Sequence, residues 1–152
     1  MDIIAKTFDE LSTKELYQIL QLRSEVFVVE QNCVYQDVDG KDKKALHIIG
    51  SKKGKVVAYT RVFGPGDYFE NVSIGRVVVA KEERKYSFGK IIMMASIDII
   101  GKRFPISTIE LSAQTYLLKF YNELGFVIEG EEYLEDGIPH IRMLKANIAP
   151  RA

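Results

Sequence analysis

The spacing of hydrophobic and polar positions changes period several times along the chain, and each change predicts an element. "DIIAKTFD" is β-rich and reads as a first strand at about Ile3 to Phe8. "LSTKEL" is a helix start: Ser12 caps, Glu15 completes a capping box, and Leu11 with Leu16 forms a hydrophobic staple. The helix is expected to run on through "YQILQLRSEVFVVE", with Leu16, Ile19, Leu20, Val26 and Phe27 on one face. Arg23 falls inside that apolar stripe. "QNCVYQDVDGKDKK" is polar and turn-rich, hence a loop. "ALHIIGSKKGKVVAYTRVFG" predicts a hairpin turning at Gly54. After a second loop, "VSIGRVVVA" is a strand whose Val77, Val78 and Val79 suggest burial on both faces. A helix from about Tyr86 to Arg103 is apolar on most sides, so it needs cover from the sheet and from something else, a second subunit being one candidate. Pro105 stops it. "STIELSAQ" is a strand and "TYLLKFYNEL" a short helix ended by Gly125. "FVIEGEEYL" and "IPHIRMLK" flank "EDG" as a last hairpin. The order β-α-β-β-β-α-β-α-β-β implies a mixed α/β domain with a mostly antiparallel sheet.

Composition narrows the picture. The 152 residues amount to one domain, and 47% apolar content suffices for a core. Lys plus Arg (21) equals Asp plus Glu (21), so no net field favours nucleic acid. No apolar run approaches the ~18 residues of a membrane span. Cys33 is alone, which rules out an internal disulfide and a cysteine zinc cluster. A cytoplasmic protein binding no metal is expected.

Three places carry candidate chemistry. In "RKYSFGK" a strand turns into a helix, where unpaired N–H groups and the dipole suit a phosphate. Arg84, Lys85 and Lys90 add charge, but one glycine, Gly89, also fits a plain turn. In "LLKFYNELGF", Tyr121 shares a helical face with Leu117, Phe120 and Leu124, as a packed core tyrosine would. Arg23 on its apolar face must find an anion, either a structural ion pair or a ligand near a cleft. Arg61 and Arg76 lie in strands; they can grip a substrate carboxylate or pair with Glu30, Asp37 or Asp39. His47 and His140 sit at strands too.

Taken jointly, the order and the two junctions resemble the GNAT acyltransferase superfamily across nearly the whole chain. There a Val-rich strand leads into R/Q-x-x-G-x-G/A; here Arg84 is the first residue, Ser87 replaces the middle glycine and Gly89 is the last. The tyrosine before x3-G-F is Tyr121 in "YNELGF", and the asparagine seven residues earlier is Gln114. "LYQILQLRSEVFVVEQNCVYQDVDGKD", "IGRVVV", "AQTYLLKFY" and "EDGIPHIRM" resemble the ElaA-like branch. The "R-x-x-VF" segment also resembles acyl-homoserine-lactone synthases, although this chain has no tryptophan.

The resemblance implies a single domain over residues 1–152, with a splayed, mostly antiparallel sheet flanked by helices. It implies acetyl-CoA as acyl donor, its pantetheine arm along Val77 to Val79 and its pyrophosphate on the amides from Lys85 through Tyr86, Ser87, Phe88 and Gly89 to Lys90, with Arg84, Gln114 and Leu117 nearby. Tyr121 is the expected general acid: with a thiol near ~8.5 and a phenol near ~10, proton return to the leaving thiolate is feasible. The base is open among Glu30, Glu135, His140 and a water chain. Arg23, Glu30, Arg61, Arg76 and His140, with the acidic loop Asp37, Asp39 and Asp42, are expected on the acceptor side. The expected reaction is direct attack of a small-molecule or peptide amine. A longer-chain acyl donor, or a non-catalytic acyl-CoA-binding domain, is the rival reading. Ser87 is expected at an ordinary negative φ, its hydroxyl adding one donor to phosphate.

Overall fold

The computed structural model describes residues 1–147. Its elements are β1 (Asp2–Thr7), α1 (Thr13–Arg23), β2 (Leu46–Lys52), β3 (Lys55–Phe63), β4 (Val72–Val79), α2 (Phe88–Arg103), β5 (Ser107–Gln114), α3 (Leu118–Glu123), β6 (Val127–Ile128), β7 (Tyr133–Glu135) and β8 (Ile138–Asn147). The sheet order is β1-β2-β3-β4-β5-β8-β6, with β7 also on β8. Every pairing is antiparallel except β4 with β5.

Local chemistry accounts for the element ends. Ser12 accepts from the Glu15 amide at 3.0 Å while Glu15 accepts from the Ser12 amide at 2.8 Å, the reciprocal capping box that starts α1. The α-helix does not run on to Glu30 as expected. From Ser24 to Glu30 the backbone widens into a π-helical segment, and the Gln31 and Cys33 amides reach back five residues to Val26 and Val28. That widening rotates the buried face. Ile19, Leu22 and Arg23 are buried in α1, whereas Leu20 is only half-buried. Residues 81–86 form a 3₁₀ segment, so α2 begins at Phe88 and not at Tyr86. The "FVIEGEEYL" strand is split into β6 and β7, because Gly130 between them takes φ +89° and turns the chain.

β3 sorts its side chains between two helices. Thr60 bonds to Ser96 of α2 at 2.6 Å, while the Tyr59 ring lies 5.9 Å from the Arg23 guanidinium of α1. Thus α1 and α2 cover opposite faces, as period-two alternation requires. The core between sheet and helices includes Ile19, Ile48, Ile49, Ile92, Met93, Ile100 and Ile109, all essentially buried. Each such side chain contributes about 1.5–3 kcal/mol of burial. Among the described residues no helix is long and apolar enough to cross a membrane.

The feature that positions a site is the β4–β5 contact. These strands pair only at Val72–Ile109 and Ser73–Glu110. Past Ser73 they diverge. Arg76 sits at φ +48° within β4, and the β3–β4 register slips between Tyr59 and Arg61. This is a bulge, which bends a strand and raises its twist. It turns the following valines away from β5.

Candidate active site

The divergence opens a cavity of about 610 Å³ between β4 and β5. Along one wall run Val77, Val78 and Val79; across from them lie Leu111, Ser112, Gln114, Leu117 and Tyr121. At one end Arg84, Ser87, Gly89 and Lys90 form the rim. Lys85, Tyr86 and Phe88 do not line it: Phe88 is in the core, and Lys52 lies over the Tyr86 ring at 4.2 Å.

Ser87 is the clearest departure from expectation. It adopts φ +59°, ψ +26°, the left-handed conformation, and its side chain makes no cap hydrogen bond. The strand-to-helix turn demands positive φ at this point, so the serine is held where glycine is at ease. At Gly89 a Cβ would meet Phe120 Cζ at 3.6 Å and Val79 Cγ2 at 3.7 Å, ordinary contact distances. Space within the protein therefore does not require glycine there.

Arg84 spans this rim. Its Nη1 and Nη2 donate to Glu30 at 2.5 and 2.8 Å, and Nε and Nη2 both donate to the Val79 carbonyl at 3.2 Å. The Arg84 hydrogen bond and charge hold the Glu30 carboxyl below its ordinary range against the smaller opposing effect of burial. Glu30 thus stands at the rim, tied on both oxygens.

Tyr121 is buried, packs edge-on to Phe120 and Phe126, and borders the cavity. Burial, helped by Tyr116, pushes its phenol above the ordinary value. It is a neutral O–H at neutral pH, a donor and not a base.

The other face of the sheet holds three arginines and three aspartates. Arg23, wholly buried, donates from Nε to Asp37 at 2.9 Å and from Nη1 to Asp42 at 2.7 Å. Arg61 donates to Asp39 at 2.6 Å and to Asp42 at 3.0 Å. Arg76 Nε lies 2.8 Å from Asp37 Oδ1, off the line of its N–H, so that contact is mainly Coulombic; its Nη2 donates to the Asp37 carbonyl. Burial, the largest single influence, opposes charge on Arg23, Arg61 and Asp42 alike; hydrogen bonds and opposite charges together outweigh it, raising both arginines and lowering the aspartate. His47 joins them: burial lowers its pKa, Nε2 bonds the Asp42 carbonyl at 2.9 Å, and Nδ1 bonds Tyr59 Oη at 2.5 Å.

This network corrects the acceptor-side expectation for Arg23 and Arg61. Of the two readings open for each, the ion pair is the one present. Arg23 does not reach the cavity, and both terminal nitrogens of Arg61 are spent on aspartates. Arg76 does border the cavity, yet it too is neutralised by Asp37 and Asp39. Sequence reasoning also missed Asp42 as the shared anion, and Tyr35, Cys33 and Tyr116 as lining. Only the alternation of aspartates in "QDVDGKD" hinted at three partners for three arginines.

His140 and Glu135 both border the cavity. A profile of the acetyltransferase (GNAT) domain matches residues 8–146. The chain belongs to the GNAT acetyltransferase family. Protein ElaA of Escherichia coli (strain K12) is 44% identical over 138 residues, 90% of each chain. An acyl-CoA N-acyltransferase from Pseudomonas aeruginosa superposes with TM-score 0.91 at 40% identity, over 96% of this chain and 100% of that one. A CoA-dependent acyl-homoserine lactone synthase, crystallised with SAM and isopentyl-CoA, shares the fold alone: TM-score 0.76 at 19% identity, over 93% of this chain and 81% of that one. The splayed mixed sheet is the GNAT acyl-CoA N-acyltransferase fold, and the ElaA-like branch is the one this chain falls in. In this family frame the rim at Arg84–Lys90 sits at the position of the R/Q-x-x-G-x-G/A loop.

Proposed function

We propose that this protein is an acetyl-CoA-dependent N-acetyltransferase acting on a primary amine of a small molecule or peptide. The observation that carries the reading is the cavity between β4 and β5, bordered by Tyr121 at one wall and by the Arg84–Lys90 turn at one end. Val77 to Val79 offer strand backbone to the pantetheine amides, and the turn offers N–H groups to the pyrophosphate. Gln114 and Leu117 flank the acyl end. An amine attacks the thioester carbon directly; the C–S bond breaks, and Tyr121 protonates the departing thiolate. No poised nucleophile argues for a covalent enzyme intermediate: the Cys33 thiol donates to the Asp136 carbonyl at 3.3 Å. Its being the chain's one cysteine favours a reducing, cytoplasmic setting. Ile91 and Met94 on α2 are exposed and would be covered in a homodimer.

Calorimetric titration with acetyl-CoA tests the donor, and thiol release with a panel of amines tests the transfer. Tyr121→Phe should lower turnover about 10²-fold while acetyl-CoA affinity stays within about twofold. Unchanged turnover would remove Tyr121 from the reaction. No acetyl-CoA binding would sink the whole reading. Preference for long acyl chains would favour the synthase-like alternative, and binding without transfer a non-catalytic role. Sedimentation velocity on the same samples reads whether two copies associate.

A further inference from the structure

Transfer to an amine needs a base, because most primary amines arrive as ammonium ions at neutral pH. Sheet register shows which polar residues share one face. Arg61 and Phe63 alternate on the α1 face of β3; Phe63 pairs Ser73, and Ser73 pairs Glu110. Counting by twos along β5 puts Ser112 and Gln114 on that face, and their partners Arg142 and His140 on β8 with them. Tyr133 pairs His140 and Glu135 pairs Ile138, so β7 adds two more residues to the same face. Phe120, just before Tyr121 in α3, lies instead against Gly89 of α2. The cavity therefore joins a donor side, where Tyr121 sits, to a polar side built around His140.

His140 is held in one state of readiness. Its Nδ1 lies 2.7 Å from the Ile138 carbonyl, which can only accept, so Nδ1 carries the proton. In the neutral ring Nε2 is then the free lone pair. That atom lies 3.3 Å from Glu135 Oε2. The ring stacks on Tyr133, with centroids 6.2 Å apart, and the Tyr133 hydroxyl is tied to Ser112. Only 8% of the His140 side chain is exposed, against 48% for Glu135. The other charged and titratable groups around it are accounted for. Arg142 is paired with Glu110, Arg76 with Asp37 and Asp39, Cys33 with the Asp136 carbonyl, and Tyr35 with Asp37. Glu30 is engaged by Arg84, and His47 has both nitrogens bonded in the core.

We propose that His140 is the catalytic base for the acceptor amine, with Glu135 as its positioning and charge-balancing partner. This rests on the acyl-transfer reading above. The substrate ammonium gives one proton to Nε2, leaving a neutral amine and an imidazolium beside the Glu135 carboxylate. The amine lone pair forms the C–N bond as the C–S bond breaks. On collapse the nitrogen sheds a second proton and the thiolate gains one through Tyr121, so one net proton is released. Glu135, half in solvent, passes it out. The acceptor class that fits is a primary ammonium, drawn to the carboxylates of Glu135 and Asp136 at this end of the cavity.

Two measurements test this. The chain has only two histidines, so nitrogen-detected NMR of CoA-bound protein resolves both rings. His140 should be an Nδ1–H tautomer. Glu135→Gln should leave that tautomer in place, because the Ile138 carbonyl and not Glu135 fixes the Nδ1 proton. A neutral Nε2–H tautomer would overturn the proposal, whether or not an acceptor is found. In parallel, transfer from acetyl-CoA to cadaverine, an ε-lysyl peptide and an α-amino peptide is followed against pH. His140→Asn should lower turnover about 10²-fold near neutrality without changing acetyl-CoA affinity. The deficit should narrow toward pH ~10, where the amine deprotonates unaided. Glu135→Gln should lower kcat for the amine with acetyl-CoA affinity unchanged, and Glu135→Asp should restore part of it. A pH-independent deficit, or none, would overturn the base. If wild-type protein acetylates no amine, the proposed function fails and the NMR result alone decides whether His140 is a poised base.

Discussion

Among the ion pairs of this fold, the cluster beneath α1 and the pair at the cavity rim differ in what surrounds them. Arg23, Arg61 and Arg76 meet Asp37, Asp39 and Asp42 in the packed space beneath α1, where Arg23 and Arg61 have almost no exposure. Arg84 meets Glu30 at the cavity rim, with side chains 41% and 30% exposed. The chemistry is the same, guanidinium to carboxylate. The dielectric is not. A buried pair costs a great deal to break because one charge stays behind, whereas an exposed pair breaks into water at little cost. The first group therefore sets the shape of the loop and of the sheet face. The second is free to trade its partner for a ligand.

The largest effect belongs to the shared anion. Asp42→Ala leaves the buried Arg23 Nη1 without its carboxylate and Arg61 Nη1 with Asp39 alone. It should cost about 3–5 kcal/mol of stability, read by urea unfolding. A loss below 1 kcal/mol would mean that the buried network behaves like the exposed one. Acid should expose the same dependence. Burial pushes the Asp39 and Asp42 carboxyls up, yet bonds from Arg61 to the first and chiefly from Arg23 to the second hold both below their ordinary range. With folded values depressed, the unfolded chain takes up protons first. Their contribution is present above about pH 4 and drains away as pH falls below it. In Asp42→Ala that part of the acid slope should be shallower.

At the rim the expected signature is reversed, with little change in stability and a clear change in ligand affinity. Arg84→Ala should shift unfolding by no more than about 1 kcal/mol yet weaken acetyl-CoA binding roughly tenfold, about 1.4 kcal/mol. Glu30→Gln removes the anion that competes with a diphosphate for Arg84, so it should tighten binding a few-fold, most visibly at low salt. Equal loss in both variants would show that the bridge is needed intact, as a strut and not as an exchangeable contact.

The same distinction explains what the sequence disclosed. Elements with a clean period were legible: the Ser12–Glu15 cap, the Gly54 hairpin and the strand-to-helix turn at Gly89 each have local causes. Pairings across the sheet were not. Arg61 and Asp42 are 19 residues apart, and nothing local chooses Asp42 over Glu30 as a partner. The π-helical widening after Arg23 was hidden for the same reason: "SEVFVVE" is an adequate α-helix by composition, and no local pattern marks the change. His140 was legible as one polar residue among several, but its tautomer depends on the Ile138 carbonyl two residues back in β8, whose direction no side-chain pattern reports.

The smallest effect concerns the turn that carries Arg84. Ser87 occupies a left-handed conformation without a side-chain hydrogen bond to offset it. That conformation costs a non-glycine residue roughly 1–2 kcal/mol. Glycine removes the strain but gives back about 0.5–1 kcal/mol through the freer unfolded chain. Ser87→Gly should therefore raise stability by about 0.5–1 kcal/mol, or about 1–4 °C in Tm. Because the turn already has the shape glycine would give it, acetyl-CoA affinity should move less than twofold. A lower Tm would mean that the serine hydroxyl contributes more to the turn than its geometry suggests. A large fall in affinity at unchanged Tm would instead assign that hydroxyl to the phosphate, and would join Ser87 to Arg84 among the rim contacts that exist for the ligand.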